Sequence, residues 1–515
     1  MHEVVTLQFG QRANYLATHY WNIQESYFTY PGQPDSPVDH DISFRPGIGA
    51  DGSDTYTPRT LIYDLKGGFG TLRRENALYE LQQQDDATHQ GQWGGRTASL
   101  QLPPIAPSPY QQALDQGTQP PQLSTDTVRF WSDYNHIFYH PRSIVQVNEY
   151  ELNSSLMPFE RWETGQELFR DLDREHDLLD RDLRPLLEEC DQLQGLQILS
   201  STDDAWGGFT SRYLERISDE LGKGCRWVFG LKEGNERRRE RQMLQMANFA
   251  QSLYALDSHA SVHVPLSMQA AGLPSYVSAD ASSLWHTSAL EAALMESVTL
   301  PTRLRGDEAA RASFDTLETT LNNDGNRRIA TAGFSVKDPE SLQPTANGTA
   351  PQDSRMTNGV THEDEEDEIS TTDINLFPTT SPASRRLGSR PHTFSQVESL
   401  RGSWKGQDEI EDSNAASRDR FAEGPRVSIH QSQLLFPILS SYPEVLRFQG
   451  HPKSLAVKAQ LSTSTKVANG VRDVERSARS LIGIDEREAI CDGLSSIAEE
   501  CEEGWDPSDD DDDND

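Results

Sequence analysis

One pattern recurs in the first half of the chain: an apolar strand, a glycine-bearing turn, and then a helix or loop. The stretch EVVTLQF alternates apolar Val5, Leu7 and Phe9 with polar residues, which predicts a β-strand. Gly10 and Gln11 form the turn that follows, and the next residues have helical spacing. Such units predict an α/β fold in which a mainly parallel sheet carries helices on both faces.

Two further turns have the same character. The strand RTLIYDL is followed by Gly67 and Gly68, and the apolar run LQGLQIL leads into a turn that holds Gly207 and Gly208. Turns of this kind expose backbone N–H groups, and a following helix adds its dipole. The sequence therefore predicts a nucleotide-binding architecture or the descendant of one.

The third turn also carries two acids, Asp203 and Asp204. A carboxylate about 4 Å from a phosphate charge costs about 4 kcal/mol at an effective dielectric constant near 20, which weakens binding about a thousandfold. We expect Trp206 and Phe209 to fill the space that a phosphate would need. The alternative role for the acids is to cap the helix that follows. Arg12, in the first turn, would then either hold a phosphate or pair with one of the two acids.

The charge of the chain limits its direct partners. Its 81 acidic residues outnumber its 46 basic residues, which gives a formal net charge of −35. An acidic surface repels nucleic acid and anionic lipid unless a basic patch compensates, so we expect no direct contact with nucleic acid. The arginine-rich stretch NERRRERQ is either a solvated helix start or a peripheral contact for anionic lipid or an acidic partner.

No metal site is expected. His259 and His263 have a spacing that would suit a metal on a helix, but the stretch HASVHVP favours a strand or turn. The four cysteines include no C-x-x-C pair, and so small a number for a chain of this length is typical of reduced thiols in the cytosol. No apolar stretch is long enough to span a membrane, and the N-terminus is not typical of a signal peptide or presequence.

Composition divides the chain into segments. Apolar periodicity is lost where large apolar residues become rare, because such a stretch cannot offset its ordering entropy. We predict five segments: an α/β unit at 1–300 with a flexible insert at about 85–125, a connecting segment at 301–334, a disordered insert at 335–425, a divergent C-terminal α+β part at 426–500, and an acidic tail at 501–515.

Three anchors in the first 300 residues resemble tubulin, in the tubulin order. EVVTLQFGQRANYLATHYWN resembles the tubulin N-terminus, with its G-Q turn and aromatic pair. TPRTLIYDLKGGFGTL is similar to the tubulin pattern P-R-A-x-x-x-D-L-E-P-G-T, and CDQLQGLQ to the C-D-x-L-Q-G-F-Q strand before the signature loop. The resemblance implies a tubulin-like fold.

The departures from tubulin fall on its functional loops. The loop G-G-G-T-G-S-G is replaced by Asp203–Phe209, and Lys66 replaces a glutamate that helps to manage the metal ion. The third glycine-rich loop is replaced by FWSDYNH, and the hydrolysis motif N-x-D-x-x-E keeps only the acids Glu291 and Glu296. The resemblance implies a vestigial nucleotide pocket at the following positions: Gly10, Gln11, Arg12, Asp64, Lys66, Asp203, Asp204, Gly207 and Gly208.

This combination resembles the Misato family of tubulin-like proteins. Membership implies a role in mitochondrial distribution and partitioning and in inheritance of mitochondrial DNA, without catalysis or a cofactor. The expected location is the cytosolic face of mitochondria and the cytoplasm, with protein partners for which tubulin and chaperonin are candidates. Two alternatives stay open: a divergent GTP-binding polymer former, with Lys66 in place of the metal, and a tubulin assembly factor.

Overall fold

The predicted strand–turn–helix units form a single parallel sheet. In the computed structural model its strands lie in the order β5-β4-β1-β6-β7-β8, and every neighbouring pair is parallel. The chain builds outward from β1 on one side and then returns to its other side with β6. The sheet strands are β1 (Glu3–Phe9), β4 (Thr60–Lys66), β5 (Ile144–Glu151), β6 (Leu193–Ser201), β7 (Cys225–Leu231) and β8 (Val262–Leu266). A separate antiparallel hairpin is formed by β2 (Phe44–Ile48) and β3 (Asp54–Pro58).

Eleven α-helices lie in the described part of the chain. They are α1 (Gly10–Ser26), α2 (Pro109–Asp115), α3 (Trp162–His176), α4 (Arg184–Glu188), α5 (Ala205–Leu221), α6 (Arg239–Asp257), α7 (Leu284–Thr299), α8 (Phe314–Leu321), α9 (Gln407–Arg418), α10 (Thr465–Leu481) and α11 (Ile484–Glu502). The structure describes residues 2–29, 32–49, 52, 54–73, 105–222, 224–234, 238–270, 272–306, 310–342, 372–378, 391–418 and 424–504.

Helices cover both faces of the parallel sheet, as the sequence predicts. One face packs against α1 and α7, and the other packs against α3 and α5. On β1, Val5, Leu7 and Phe9 all join the α3/α5 side, and the intervening polar residues are also buried. One of these, Gln8, donates from Nε2 to Thr60 Oγ1 at 2.8 Å. Pairing of this kind lets a fully buried strand keep polar side chains.

A second, mixed sheet lies beyond α7. Its order is β10-β9-β14-β11-β12, with β13 paired to β14. The strands are β9 (Thr331–Lys337), β10 (Ile374–Asn375), β11 (Thr393–Arg401), β12 (Arg426–Ser432), β13 (Phe436–Pro437) and β14 (Ser454–Ser464). Helix α7 is buried on all sides from Ser288 onward, because it lies between α1 and this second sheet. Helices α10 and α11 pack on α6 instead.

A buried ion cluster joins helices α1 and α7 to the second sheet. Glu296 on α7 pairs with Arg401 at the end of β11 and with Arg303, whose Nη2 lies 3.4 Å from Glu296 Oε1. Arg401 also donates from Nη2 to the Tyr27 hydroxyl at 2.7 Å, and Glu296, Arg303 and Arg401 are at most 2% exposed. Because an unpaired buried charge is very costly, this cluster ties α1, α7 and β11 together.

Several predicted segment boundaries are wrong. The flexible insert at about 85–125 is ordered where it holds α2, whose Tyr110 is buried and bonds to Ser440; residues 74–104 lie outside the described residues. The connecting segment 301–334 contains α8 and the start of β9.

The disordered insert predicted at 335–425 is wrong for most of β9 and for β10, β11 and α9. Strand β11 lies in the interior of the second sheet, where the ion pairs of Glu398 and Arg401 compensate for its polar sequence. The remaining stretches, 343–371, 379–390 and 419–423, lie outside the described residues.

The C-terminal part is partly as predicted. The predicted strand and helix after residue 450 are β14 and α10. The acidic tail predicted at 501–515 begins too early, because α11 continues to Glu502 and Cys501 is buried. Residues 505–515 lie outside the described residues. No helix among the described residues is long and apolar enough to cross a membrane.

Gly208 is required by the crossing of α3 and α5. A β-carbon at this position would collide with the carbonyl oxygen of Trp162. We expect Gly208→Ala to lower the free energy of unfolding by about 1–3 kcal/mol, because a packed backbone must move. Gly224→Ala is the matched control, since its β-carbon would meet no atom within 4 Å. Urea unfolding of both variants checks this, and equal stability would contradict it.

Candidate functional site

A cavity of about 460 Å³ opens where the carboxyl ends of β1, β4, β6 and β7 meet. The edge of a parallel sheet where the strand order reverses is the usual place for a ligand in an α/β fold. The residues that line this cavity include Gln11, Arg12, Tyr15, Arg129, Phe130, Glu151, Phe159, Glu160, Asp204, Trp206, Lys232, Glu233, Arg241, Thr287, Ser288 and Glu291.

Asp204 caps helix α5. Its Oδ1 accepts from the backbone N–H of Trp206 at 2.9 Å, and its Oδ2 accepts from Ser201 Oγ at 2.7 Å. Burial raises the pKa of Asp204 to about 6, although Arg12 acts in the opposite direction. The capping interpretation of this acid is confirmed, because its carboxylate takes the place that an anion would occupy at a helix N-terminus.

Asp203 holds the arginine of the first turn. Arg12 Nη1 pairs with Asp203, and Arg12 Nη2 lies 3.1 Å from Glu233 Oε2. The second oxygen of Asp203 accepts from the backbone N–H of Glu233 at 3.0 Å. Of the two alternatives for Arg12, the structure forms the salt bridge, and the cation of the first turn is paired with the protein's own acids.

Trp206 lies against the first turn, as predicted. Gly10 has a φ of +84°, and a β-carbon there would collide with the Trp206 indole. The same prediction is wrong for Phe209. The helix begins at Ala205, so Phe209 lies further along it and packs in the core against Phe9 and Tyr63.

The two surviving glycines of the third turn serve helix packing. Gly207 lies against Ser252 on α6, and Gly208 lies against the backbone of Trp162 on α3. Both glycines are buried within α5 and are absent from the residues that line the cavity. Their retention therefore has a structural cause.

The second turn is closed by side-chain amides. Asp64 is fully buried and accepts from Asn14 Nδ2 at 2.6 Å and from Gln11 Nε2, and burial raises its pKa to about 7. Gln11 also donates to the carbonyl oxygen of Gly68 at 2.8 Å. Lys66 is partly buried at the end of β4 and is not among the residues that line the cavity.

The stretch that replaces the third glycine-rich loop reinforces the second turn. Trp131 Nε1 donates to the carbonyl oxygen of Gly68 at 2.9 Å, and Asp133 accepts from the backbone N–H of Phe130 at 3.1 Å. Arg129 Nη2 pairs with Asp133 at 3.0 Å. The Trp131 indole and the Asp133 carboxylate thus stabilise a loop that contains no glycine.

The two acids that remain of the hydrolysis motif, Glu291 and Glu296, both lie on helix α7 and not in a loop, and they have different surroundings. Glu296 belongs to the ion cluster between the sheets. Glu291 lines the cavity, is 6% exposed, and burial raises its pKa to about 8, with Arg12 opposing and Asp203 reinforcing the shift.

Acids outnumber bases on the cavity wall. Its acids are Glu151, Glu160, Asp204, Glu233 and Glu291, and its bases are Arg12, Arg129, Lys232 and Arg241. Arg12 and Arg129 are paired with acids, and Arg241 lies 4.0 Å from Glu160. Lys232 lies with Nζ 4.8 Å from the ring centroid of Phe249. Because the three arginines lie beside acids, the wall has little unpaired positive charge with which to hold a polyanion such as a triphosphate.

Sequence reasoning missed the contributions of Lys232, Glu233 and Arg129 to this cavity. Lys232 and Glu233 could have been predicted to line it. They directly follow β7, and the carboxyl ends of parallel strands meet at one edge of the sheet. The arginine-rich stretch lies partly outside the described residues, and α6 begins at Arg239 within it. His263 lies on β8, and no metal-binding cluster of three acids, histidines or cysteines occurs among the described residues.

The sheet order, the three turns and the cavity define a tubulin-like α/β protein. A Tubulin domain model matches residues 120–304, and a Misato Segment II tubulin-like domain model matches residues 2–116. Protein DML1 of Phaeosphaeria nodorum is 48% identical over the full length of both chains. Protein dml1 of Aspergillus clavatus is 46% identical over 98% of each chain, and that of Schizosaccharomyces pombe is 33% identical over 67% of this chain and 74% of its own. The chain therefore belongs to the Misato family of tubulin-like proteins.

The pKa of Glu291 has a consequence for stability. Because folding raises this pKa from about 4.5 to about 8, the unfolded chain binds fewer protons between these values, and stability falls as the pH rises through this window. We expect Glu291→Gln to gain on the order of 3 kcal/mol relative to the unaltered protein between pH 5 and pH 8.5. Urea unfolding at both pH values checks this. Glu149→Gln, at an exposed site on β5, should show no such gain, and a pH-independent difference for Glu291→Gln would contradict the assignment.

Proposed function

We propose that this protein is a non-catalytic, tubulin-like interaction protein that acts in mitochondrial distribution and partitioning and in the inheritance of mitochondrial DNA. Membership of the Misato family supports the mitochondrial role, since this is the role that the family resemblance implies. The side chains that fill the three glycine-bearing turns support the absence of catalysis.

One observation carries the non-catalytic part of the proposal. The Arg12–Asp203 ion pair and the Trp206 indole against Gly10 occupy the place where a phosphate would approach the first and third turns. A nucleotide would have to break the ion pair, expose a buried carboxylate and displace an indole. Breaking a buried pair by removing one partner costs about 3–5 kcal/mol, which a phosphate contact must first recover.

The proposed site of action is the cytosolic face of mitochondria, with a further pool in the cytoplasm. The formal net charge of −35 supports contact with proteins and argues against direct contact with DNA. On this proposal, any effect on mitochondrial DNA is indirect. Tubulin and chaperonin subunits are the candidate partners, which also covers a role as a tubulin assembly factor.

The size of the cavity favours one second candidate, a divergent GTP-binding polymer former. A volume of about 460 Å³ is within the range of small-molecule sites, and Gln11 still lines it. This candidate requires the acids of the third turn to move or become protonated.

A titration of the full chain with GTP and Mg²⁺ separates the two candidates. Isothermal calorimetry at pH 7.5 is expected to show no micromolar binding, because the cation of the first turn is already paired. GTP should likewise cause no shift in thermal unfolding. Micromolar binding, or GTP turnover, would refute the non-catalytic proposal and support the second candidate.

Fractionation tests the proposed location. A tagged protein is expected to sediment with intact mitochondria in part and to be digested by added protease, because it is exposed to the cytosol. A matrix protein serves as the protected control. Protection of the tagged protein until the outer membrane is ruptured would contradict the placement, and pull-down from the soluble fraction would test tubulin and chaperonin as partners.

A further inference from the structure

Glu291 is a buried acid for which the contacts within the protein give no structural role. It faces the cavity from α7 and is 6% exposed, and no donor from the described residues forms a hydrogen bond with its carboxylate. The acids of the third turn and of the loop after β7 do have partners: Asp203 and Glu233 hold Arg12, and Asp204 holds the start of α5. A buried carboxylate without donors is unfavourable unless something else supplies them.

Four aromatic side chains, Tyr15, Phe130, Phe159 and Trp206, line the same cavity. Tyr15 and Trp206 are almost fully buried, and Phe130 and Phe159 are partly buried. Phe159 and Trp206 pack edge to face, with centroids 5.2 Å apart. Aromatic faces attract organic cations, and they do so most strongly where water is excluded.

The charged residues on the cavity wall also favour an organic cation as the ligand. The arginines are held by acids, and the Lys232 ammonium lies over the Phe249 ring. The wall therefore offers π-faces and a carboxyl group that forms no hydrogen bond with the described residues, and this group is ionised above its pKa of about 8. The hydroxyl-bearing residues Thr287 and Ser288 stand beside Glu291 on α7 and also line the cavity.

We propose that this cavity binds an organic cation that donates hydrogen bonds, an alkylguanidinium or alkylammonium group, with Glu291 as its counter-ion and the aromatic side chains as its walls. The cation comes either from a free small molecule or from an arginine or lysine side chain that a protein partner inserts. This inference goes beyond the proposed function and does not depend on it, because a nucleotide is not the ligand.

The test uses pairs of probes that differ only in charge. n-Butylguanidinium is compared with neutral n-butylurea, and acetyl-Gly-Arg-Gly-amide is compared with the peptide in which citrulline replaces arginine. Isothermal calorimetry of the full chain at pH 8.5 is expected to show binding of at least one cationic probe and not of its neutral counterpart. Binding of butylguanidinium alone identifies a free small cation as the source, and tighter binding of the arginine peptide identifies an inserted side chain.

Three variants locate the site. Glu291→Gln removes the charge and is expected to weaken binding of the cation at least about tenfold. Thr287→Leu narrows the cavity without changing charge and should also weaken it, whereas Glu149→Gln, on the exposed part of β5, should leave it unchanged. Circular dichroism and thermal unfolding show whether each variant is folded.

Three results would overturn the proposal. They are the absence of binding of either cationic probe at about 10 mM, equal binding of a neutral counterpart, and undiminished binding to folded Glu291→Gln. Because GTP is absent from these titrations, their outcome is independent of the nucleotide titration that tests the proposed function.

Discussion

A largely buried guanidinium needs an acid beside it. In this protein the guanidinium belongs to Arg12, and the acids that pair with it determine how the cavity at the edge of the parallel sheet is built. The first turn supplies the cation, the third supplies Asp203, and the loop after β7 supplies Glu233. This network joins the carboxyl ends of neighbouring strands with protein groups alone. Because the protein's own acids already pair with this guanidinium, no external anion is needed to compensate its charge.

Much of the fold could be predicted from the sequence because local pattern and final environment agree. The strands β1, β4 and β7 are apolar enough to be recognised, and Asp204 is a standard helix cap. Strand β11 was missed because its buried Glu398 and Arg401 are charged, and two of their partners, Lys458 and Glu296, come from distant parts of the chain.

The candidate site could be predicted only in part, for reasons that local pattern does not contain. The glycines of the third turn were assigned to a loop, whereas the helix begins at Ala205 and buries them against α3 and α6. Phe209 was misplaced for the same reason. Glu291 was recognised as an acid of a degraded motif, but its isolation in a cavity depends on how α7 packs, which one sequence does not reveal.

The cluster of Glu296, Arg303, Arg401 and Tyr27 also bears on how the molecule is assembled. Its members come from the beginning, the middle and the late part of the chain, so no fragment that ends near residue 300 contains a complete set. Such a fragment would retain a carboxylate in its interior without its main counter-charge. We therefore expect the tubulin-like first part to be less stable as an isolated fragment than in the full chain, because β11 supplies the charge that pairs with this buried carboxylate.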